Sequence, residues 1–286
     1  MKRQISNLIN SGLNPIGLQL DRFRDPVDPG NSYMSDERMR ESLVVQLAGL
    51  AMEELASVFK SGKTTEESMK DDVRVFLELF KECPIGQNSG GSGFHNLFWI
   101  YMSARVCRPD LIVESGIWRG KATWFLERAC PDAEIHAFDI NLGYIDKRNY
   151  KRVKFVESDW WSYGVSVEQG QSALAFFDCH ISHMLRISQA HERGFTRVLL
   201  DDDLPVEKLY VDGSPPVPTA NMIVNGYSGD SKIECVHRGN IMNLDLGTKG
   251  DRETLASLVD TYRTFASVAE LSGYGGYTRL SALTLL

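Results

Sequence analysis

The chain has 286 residues, 43% of them hydrophobic and 24% charged, the balance of a globular protein long enough to bury one large core. Asp and Glu outnumber Lys and Arg by 38 to 31, for a net charge of -7. That excess argues against duplex DNA or an anionic membrane as partner, because both need a basic face that displaces counterions.

No apolar run approaches the roughly 20 residues of a membrane span. The opening MKRQISNLINSGL lacks the apolar centre and small-residue cleavage site of a signal peptide. Five cysteines, at 83, 107, 130, 179 and 235, are scattered without a CxxC pair. An odd number at such spacing points to reduced thiols in a cytoplasmic setting and against structural zinc.

In chain order, residues 1 to about 35 are rich in Pro, Asp, Gly and Asn and read as a short helix followed by an arm. SDERMRESLVVQLAGLAMEELASVFK, from Ser35, has apolar residues at helical spacing behind a Ser or Asp cap. A polar break, SGKTTEESMK, separates it from a second amphipathic run, DDVRVFLELFKE. Residues 1–85 are therefore expected to form an arm and helical extension, serving as a lid, a dimerisation element or a plain covering layer. Residues 86–286 are expected to form the main domain. PIGQNSGGSGF, 84–94, is the most Gly-rich stretch and lacks the GxxxxGK[ST] of a phosphate-binding loop, which leaves a linker or a ligand-covering loop.

From HNLFWIYMSARVCRP onward, helical segments alternate with short apolar runs: LIVESG, EIHAFDI, VKFVESD, ALAFFD and RVLLDDD. Strand–helix alternation predicts right-handed βαβ units in a Rossmann-like, doubly wound, mostly parallel sheet. After Asp203, four prolines exclude a regular helix through Pro218. Two further strand candidates, IECVHRGNIMNLDL and YTRLSALTLL, flank an expected helix over 252–271, so the sheet should end in an antiparallel C-terminal strand.

Ligands of such sheets bind beyond the carboxyl ends of the strands, and here those ends carry acids. The first strand and its turn read LIVESGIWRGKAT, with Glu114, Gly116 and Gly120 where a cofactor would approach the backbone. The spacing is not GxGxxG. Asp139 ends the second strand, positioned to accept from ribose hydroxyls. Asp159 follows the third strand with Trp160 beside it, a carboxylate for an adenine amino group and an indole for the base.

These residues resemble the class I S-adenosylmethionine-dependent methyltransferases, whose first motif is an acid followed by glycines two, four and six positions on. The resemblance covers about 95–286. It departs at the middle glycine, here Trp118, and ESGIWRGKAT is similar to the macrocin-type and cephalosporin-cluster O-methyltransferases, which carry an aromatic there. The resemblance implies a pocket for S-adenosylmethionine formed by Glu114, Gly116, Gly120, Asp139, Asp159 and Trp160.

The fourth and fifth strands end in FFDCHISH and VLLDDDLP. Their tips should lie about 5 Å apart as neighbours, so Asp178 with Asp201 and Asp202 forms a candidate Mg²⁺ site, similar to that of metal-dependent O-methyltransferases. His180 is the candidate general base with His183 second, since an imidazole titrates near neutrality. Asp178 joins His180 in the catalytic set. The expected activity is O-methyl transfer to a sugar or other small metabolite, without nucleic-acid or membrane partner, in a monomer or homodimer. Two alternatives stand beside it: a non-catalytic cofactor-binding regulator, motivated by Trp118, and a nucleotide-sugar-modifying enzyme.

Overall fold

The computed structural model describes residues 36–60, 64–86, 91–211, 215–237, 240–274 and 278–286, with the side chains of 209–211, 235–237 and 240 outside that description. The expected helix and arm over 1–35, and residues 87–90 of the Gly-rich stretch, lie outside the described residues.

The chain divides into two compact units, Met1–Arg40 and Glu41–Leu286; the boundary expected at 85/86 falls inside the larger one. In the first unit, Asp36 Oδ1 accepts from the N–H groups of Arg38 (2.9 Å) and Met39 (3.1 Å). This is the expected cap, and it opens α1, Glu37–Phe59.

Contrary to the sequence expectation, α1 is long and apolar enough by composition to cross a bilayer, but half of its apolar window is buried against protein. Within the larger unit its buried Glu54 pairs with Arg263 through contacts of 2.6 and 2.5 Å. Those are the surroundings of a core helix.

Helix α2, Glu66–Glu82, begins inside the expected polar break. The side chains of Thr65 and Ser68 form a reciprocal capping box, which turns TEES into a helix start. Phe76 of α2 has no exposed surface, and full burial of such a side chain contributes roughly 1.5–3 kcal/mol. Its ring meets Phe94 and Phe98 of α3, Phe94–Cys107, and Phe125 of α4, Lys121–Ala129, at centroid distances of 5.2, 5.3 and 5.5 Å. Arg105 on α3 also donates to Asp72 on α2 at 2.7 Å. The helices from Glu41 on therefore form a covering layer.

Among the described residues, seven strands form the main sheet in the order β3-β2-β1-β4-β5-β9-β8. β1 is Leu111–Ser115, β2 Glu134–Asp139, β3 Val153–Glu157, β4 Ala173–Phe177 and β5 Arg197–Leu200. β8 is Val259–Thr264 and β9 Ser281–Leu285. The first five pair in parallel, and β9 runs antiparallel to both β5 and β8. This is the Rossmann-like, mostly parallel sheet with an antiparallel C-terminal strand that the alternation predicted. The order reverses between β1 and β4, the crevice where such sheets take ligands.

On one face, Val113, Ala175, Val198 and Leu283 pack against Ile187 of α5, His183–Glu192, and Leu255 of α7, Lys249–Ala256. Strand alternation turns Ile112, Glu114, Phe176 and Leu199 to the other face.

Two expectations fail after β5. The helix expected over 252–271 stops at Ala256, and VDTYRT becomes β8. Its β-branched and aromatic residues suit a strand. Partners remote in sequence hold it there: Thr261 Oγ1 lies 2.5 Å from Thr284 Oγ1 and 2.8 Å from the Val58 carbonyl. The single strand expected over 233–246 is instead an antiparallel pair, β6, Lys232–His237, and β7, Asn240–Asp245. A short helix, α6, Ala220–Val224, precedes this pair.

Gly116, just past β1, has φ +93°, and a Cβ there would sit 2.3 Å from the Asp178 carbonyl oxygen. Gly116→Ala should therefore cost about 3 kcal/mol in urea unfolding. Gly49, in α1 with nothing near its missing Cβ, serves as the comparison: Gly49→Ala should be neutral or stabilise by up to about 1 kcal/mol.

Candidate active site at the strand tips

β1 ends against β4. The Asp178 N–H donates to the Ser115 carbonyl at 2.8 Å, and the Gly116 N–H reaches Phe138 O on β2 at 2.9 Å. The loop then closes on itself: the Gly120 N–H donates to Ile117 O at 2.8 Å, with Gly120 at φ +81°. The Tyr150 hydroxyl donates to Gly120 O at 2.8 Å, and any Cβ at Gly120 would collide with that hydroxyl. Both glycines are thus required by close approach of the chain to itself. Trp118, at the departing motif position, has φ +52°, is 45% exposed and packs on Tyr144 at 4.8 Å.

Asp139 sits at the tip of β2 as expected but is engaged with the loop. Its Oδ2 accepts from Ile117 N (2.8 Å) and Trp118 N (3.0 Å), and its Oδ1 from Asn141 N (3.0 Å). A carboxylate offers about four acceptor positions, so about one remains beyond these three bonds. Asp139 is first the residue that shapes the loop.

Asp159 and Trp160 depart further from expectation. Asp159 accepts from Trp161 N at 2.9 Å and pairs through both oxygens with Arg186, a guanidinium only 1% exposed. Burial by itself would raise the Asp159 carboxyl, but Arg186 and the Trp161 N–H outweigh it and hold the group below its usual range. Arg186 also donates to Cys179 Sγ at 3.2 Å and Gln189 Oε1 at 2.7 Å, so Asp159 joins β3 to the loop after β4. Trp160 has no exposed surface and packs on Phe177 and Phe195 at 5.4 and 5.9 Å. It is a core residue and offers no face to a base, while Trp161 beside it is only partly buried against the same core.

Glu114 lies under the loop with no exposed surface; the Thr123 hydroxyl and N–H are its polar neighbours, but neither carboxylate oxygen is met by a well-formed hydrogen bond. Burial, with Asp139 adding repulsion, pushes the Glu114 carboxyl up to about 8.

Across the switch point, a tight crevice is lined by residues 177–181, His183, Asp201, Asp202 and Pro216. Asp178, His180 and Asp202 converge there, with one ligating atom from each lying within 4.8 Å of the others. His180 Nδ1 is 3.4 Å from Asp202 Oδ2. Both residues are held in the left-handed region, at φ +52° and +55°, a cost of about 1–3 kcal/mol each that accumulates at functional sites.

Asp201, expected in the metal set, lines the same crevice but has one oxygen engaged by the chain. Its Oδ1 accepts from Asn96 Nδ2 at 2.6 Å and from Asp202 N at 2.8 Å, while Oδ2 is buried without a partner. Burial and the repulsion of Asp202 push Asp201 up to about 8. Burial, together with Asp201 and Asp202, also raises Asp178 well above the carboxylate range.

His183 is excluded as a base. It is buried, its Nδ1 accepts from Ala220 N at 3.1 Å and lies 3.5 Å from Asp203 Oδ1, and its Nε2 is 3.0 Å from Asp201 O, so both ring nitrogens are engaged within the chain. His95 is buried as well, pushed down to about 4 by that burial, with Nδ1 facing Val268 N at 3.4 Å. Asp203 bonds Asn221 N at 2.7 Å and the Tyr262 hydroxyl at 2.6 Å.

Sequence reasoning missed Asn96, which holds Asp201, Thr278, whose hydroxyl donates to Asp202, and Arg186. A polar residue inside the apolar run HNLFWIYM was the one signal for Asn96.

No family model matches the chain, and no curated protein matches it. Its backbone is similar to solved methyltransferase structures. The O-methyltransferase TomG from Streptomyces achromogenes, in complex with S-adenosylmethionine, is 12% identical over 100% of both chains with a TM-score of 0.39. The Bacillus cereus O-methyltransferase in complex with S-adenosylhomocysteine is 11% identical over 83% of this chain and 99% of that one, TM-score 0.41. The Aquifex aeolicus tRNA methyltransferase TrmI is 14% identical over 73% and 76%, TM-score 0.42. At these TM-scores the likeness carries no functional argument; the strand order above defines the fold.

Glu114 gives this site a signature in stability. Its folded value of about 8 lies above its ordinary 4.5, so between those values the folded chain keeps a proton that the unfolded chain has released. Its contribution to stability therefore falls as pH rises from about 4.5 to 8 and is lowest beyond. Glu114→Gln should flatten the decline of the urea midpoint across that range and raise stability at pH 8.5 by about 2 kcal/mol or more.

Proposed function

We propose that this chain is an S-adenosylmethionine-dependent methyltransferase acting on a hydroxyl of a sugar or other small metabolite. The observation that carries the reading is Glu114: a carboxylate with both oxygens buried and short of a well-formed hydrogen bond, beneath a loop at the β1/β4 switch point. Such a group is costly unless a ligand satisfies it. The chemistry of the neighbouring acids fits a cationic ligand, because Asp178, Asp201 and Asp202 repel one another on ionising and a cation would relieve that repulsion. A dinucleotide or nucleotide-sugar diphosphate would meet repulsion in the same place, which disfavours the nucleotide-sugar alternative.

When bound, S-adenosylmethionine supplies an electrophilic methyl carbon for in-line displacement. The chain holds and orients the two reactants. Glu114 faces a positive group, the remaining acceptor position of Asp139 takes a ribose hydroxyl, and the backbone of Gly116 to Gly120 borders the nucleoside. Asp159 and Trp160 act from behind, as a brace and as core. The acceptor enters the crevice after β4 and β5, and its hydroxyl proton goes to His180, whose Nδ1 lies 3.4 Å from Asp202 Oδ2. Alignment of acceptor and methyl group supplies much of the acceleration in such a reaction. The Mg²⁺ that the resemblance implies would be held by Asp178 and Asp202, with Asp201 outside its ligand set. The free thiols at Cys83, Cys107, Cys130 and Cys179 suit a reducing, cytoplasmic setting.

Calorimetry with S-adenosylhomocysteine tests the cofactor, and transfer of labelled methyl groups to a panel of sugars and catechols tests the reaction. One equivalent of S-adenosylhomocysteine should bind, and Asp178→Asn should lower turnover by about 100-fold or more while changing that affinity by less than about threefold. Failure to bind it, with tight binding of a nucleotide sugar instead, would overturn the reading. Binding without turnover on any hydroxyl would favour the regulatory alternative.

A further inference from the structure

We infer that His180 is a metal ligand, so that Asp178, His180 and Asp202 form a mixed nitrogen–oxygen site for a first-row transition ion such as Mn²⁺, Fe²⁺ or Co²⁺ and not an all-oxygen Mg²⁺ site. The inference deepens the proposed function and rests on its reading of the strand tips as the catalytic centre. The donors come from two adjacent strands, β4 and β5, and converge within 4.8 Å of one another. His180 Nδ1 and Asp202 Oδ2, 3.4 Å apart, are close to the separation of two neighbouring ligands on one ion, given metal–ligand bonds of about 2.1 Å.

The polar surroundings agree. Asp202 is oriented from behind by the Thr278 hydroxyl, the kind of outer partner that fixes a ligating carboxylate. Asp201 lines the same crevice, only 1% exposed, and its Oδ2 is buried without a partner. An ion at the triad carries water or an acceptor hydroxyl on its open side, and that group is a donor for the orphaned Oδ2. Because Asp201 Oδ1 is already taken by Asn96 and the Asp202 N–H, Asp201 serves as this outer acceptor and not as a ligand.

An imidazole selects the ion. Mg²⁺ takes oxygen ligands and keeps much of its water, whereas first-row transition ions favour imidazole nitrogen. With Nδ1 on the ion, His180 would not serve as the base; the ion would lower the pKa of the acceptor hydroxyl, whose proton would pass to the Asp201 carboxylate or to solvent.

The test uses the full chain, stripped with a chelator, and the metals alone. Co²⁺ and Mn²⁺ should bind at one per chain, about tenfold or more tighter than Mg²⁺, and pulsed electron paramagnetic resonance of the Mn²⁺ form should show coupling to a nitrogen. His180→Gly, which keeps the left-handed backbone without strain, should weaken Co²⁺ by about tenfold or more, alter Mg²⁺ by less than about threefold and remove the nitrogen coupling. Equal affinity for Mg²⁺ and Co²⁺, absence of nitrogen coupling, no ion bound at all, or unchanged Co²⁺ affinity in His180→Gly would each overturn the inference. Calorimetry with S-adenosylhomocysteine on the same preparations keeps a failed metal site distinct from a failed cofactor site.

Discussion

The rest of the molecule is arranged around the crowding of carboxylates that a parallel sheet imposes on one edge. β1, β4 and β5 all point their carboxyl ends the same way, and each ends in acid: Glu114, Asp178, and Asp201 with Asp202. Two like charges 4 Å apart repel by about 4 kcal/mol where the effective dielectric is near 20. The buried Arg186 is paired with Asp159. The remaining acids relieve the repulsion by keeping protons, as the raised values of Asp178, Asp201 and Glu114 show. A cation would relieve it too, and this same tension makes the edge unstable alone and receptive to positively charged ligands.

Around this edge the structure separates acids that hold the chain from acids that remain available. Asp139 organises the Gly116–Gly120 loop through backbone donors, and Asp159 joins β3 to α5 through Arg186. Asp203 is absorbed by Tyr262 and Asn221. What is left is a line of acids running from Glu114 beneath the loop to Asp178 in the crevice, where Asp202 lies beside His180. The line crosses the switch point between β1 and β4, so a ligand on one side and a second reactant on the other would meet above Gly116. Gly116 lets those two tips touch, and their contact fixes the distance between the two halves of the site.

Most of the sheet was legible because its strands are short apolar runs closed by acids or glycine, a local pattern that survives without knowledge of the partners. The acids Glu114, Asp178 and Asp202 were legible for the same reason. Legibility failed where a residue's fate depends on contacts far along the chain. VDTYRT followed helical residues and read as helix until β9 was available to pair with it. Trp160 and Trp161 are adjacent and identical, and it is tertiary packing, against Phe177 and Phe195 among others, that buries the first completely. The polar stretch before Asp71 concealed the Thr65 cap because its helix turns the polar side outward.

The sequence by itself determined the parallel sheet, its acid-tipped edge and the glycine-framed turn after β1, because strand propensity, chain reversal and the direction of βαβ units are local or topological properties. Only the tertiary structure decided which acid does what. Asn96 from α3 draws Asp201 inward, Thr278 supports Asp202, and Arg186 claims Asp159. Each donor lies 27 to 105 residues away from its acid. A carboxylate's role follows from which donors and charges surround it, and only folding brings those together.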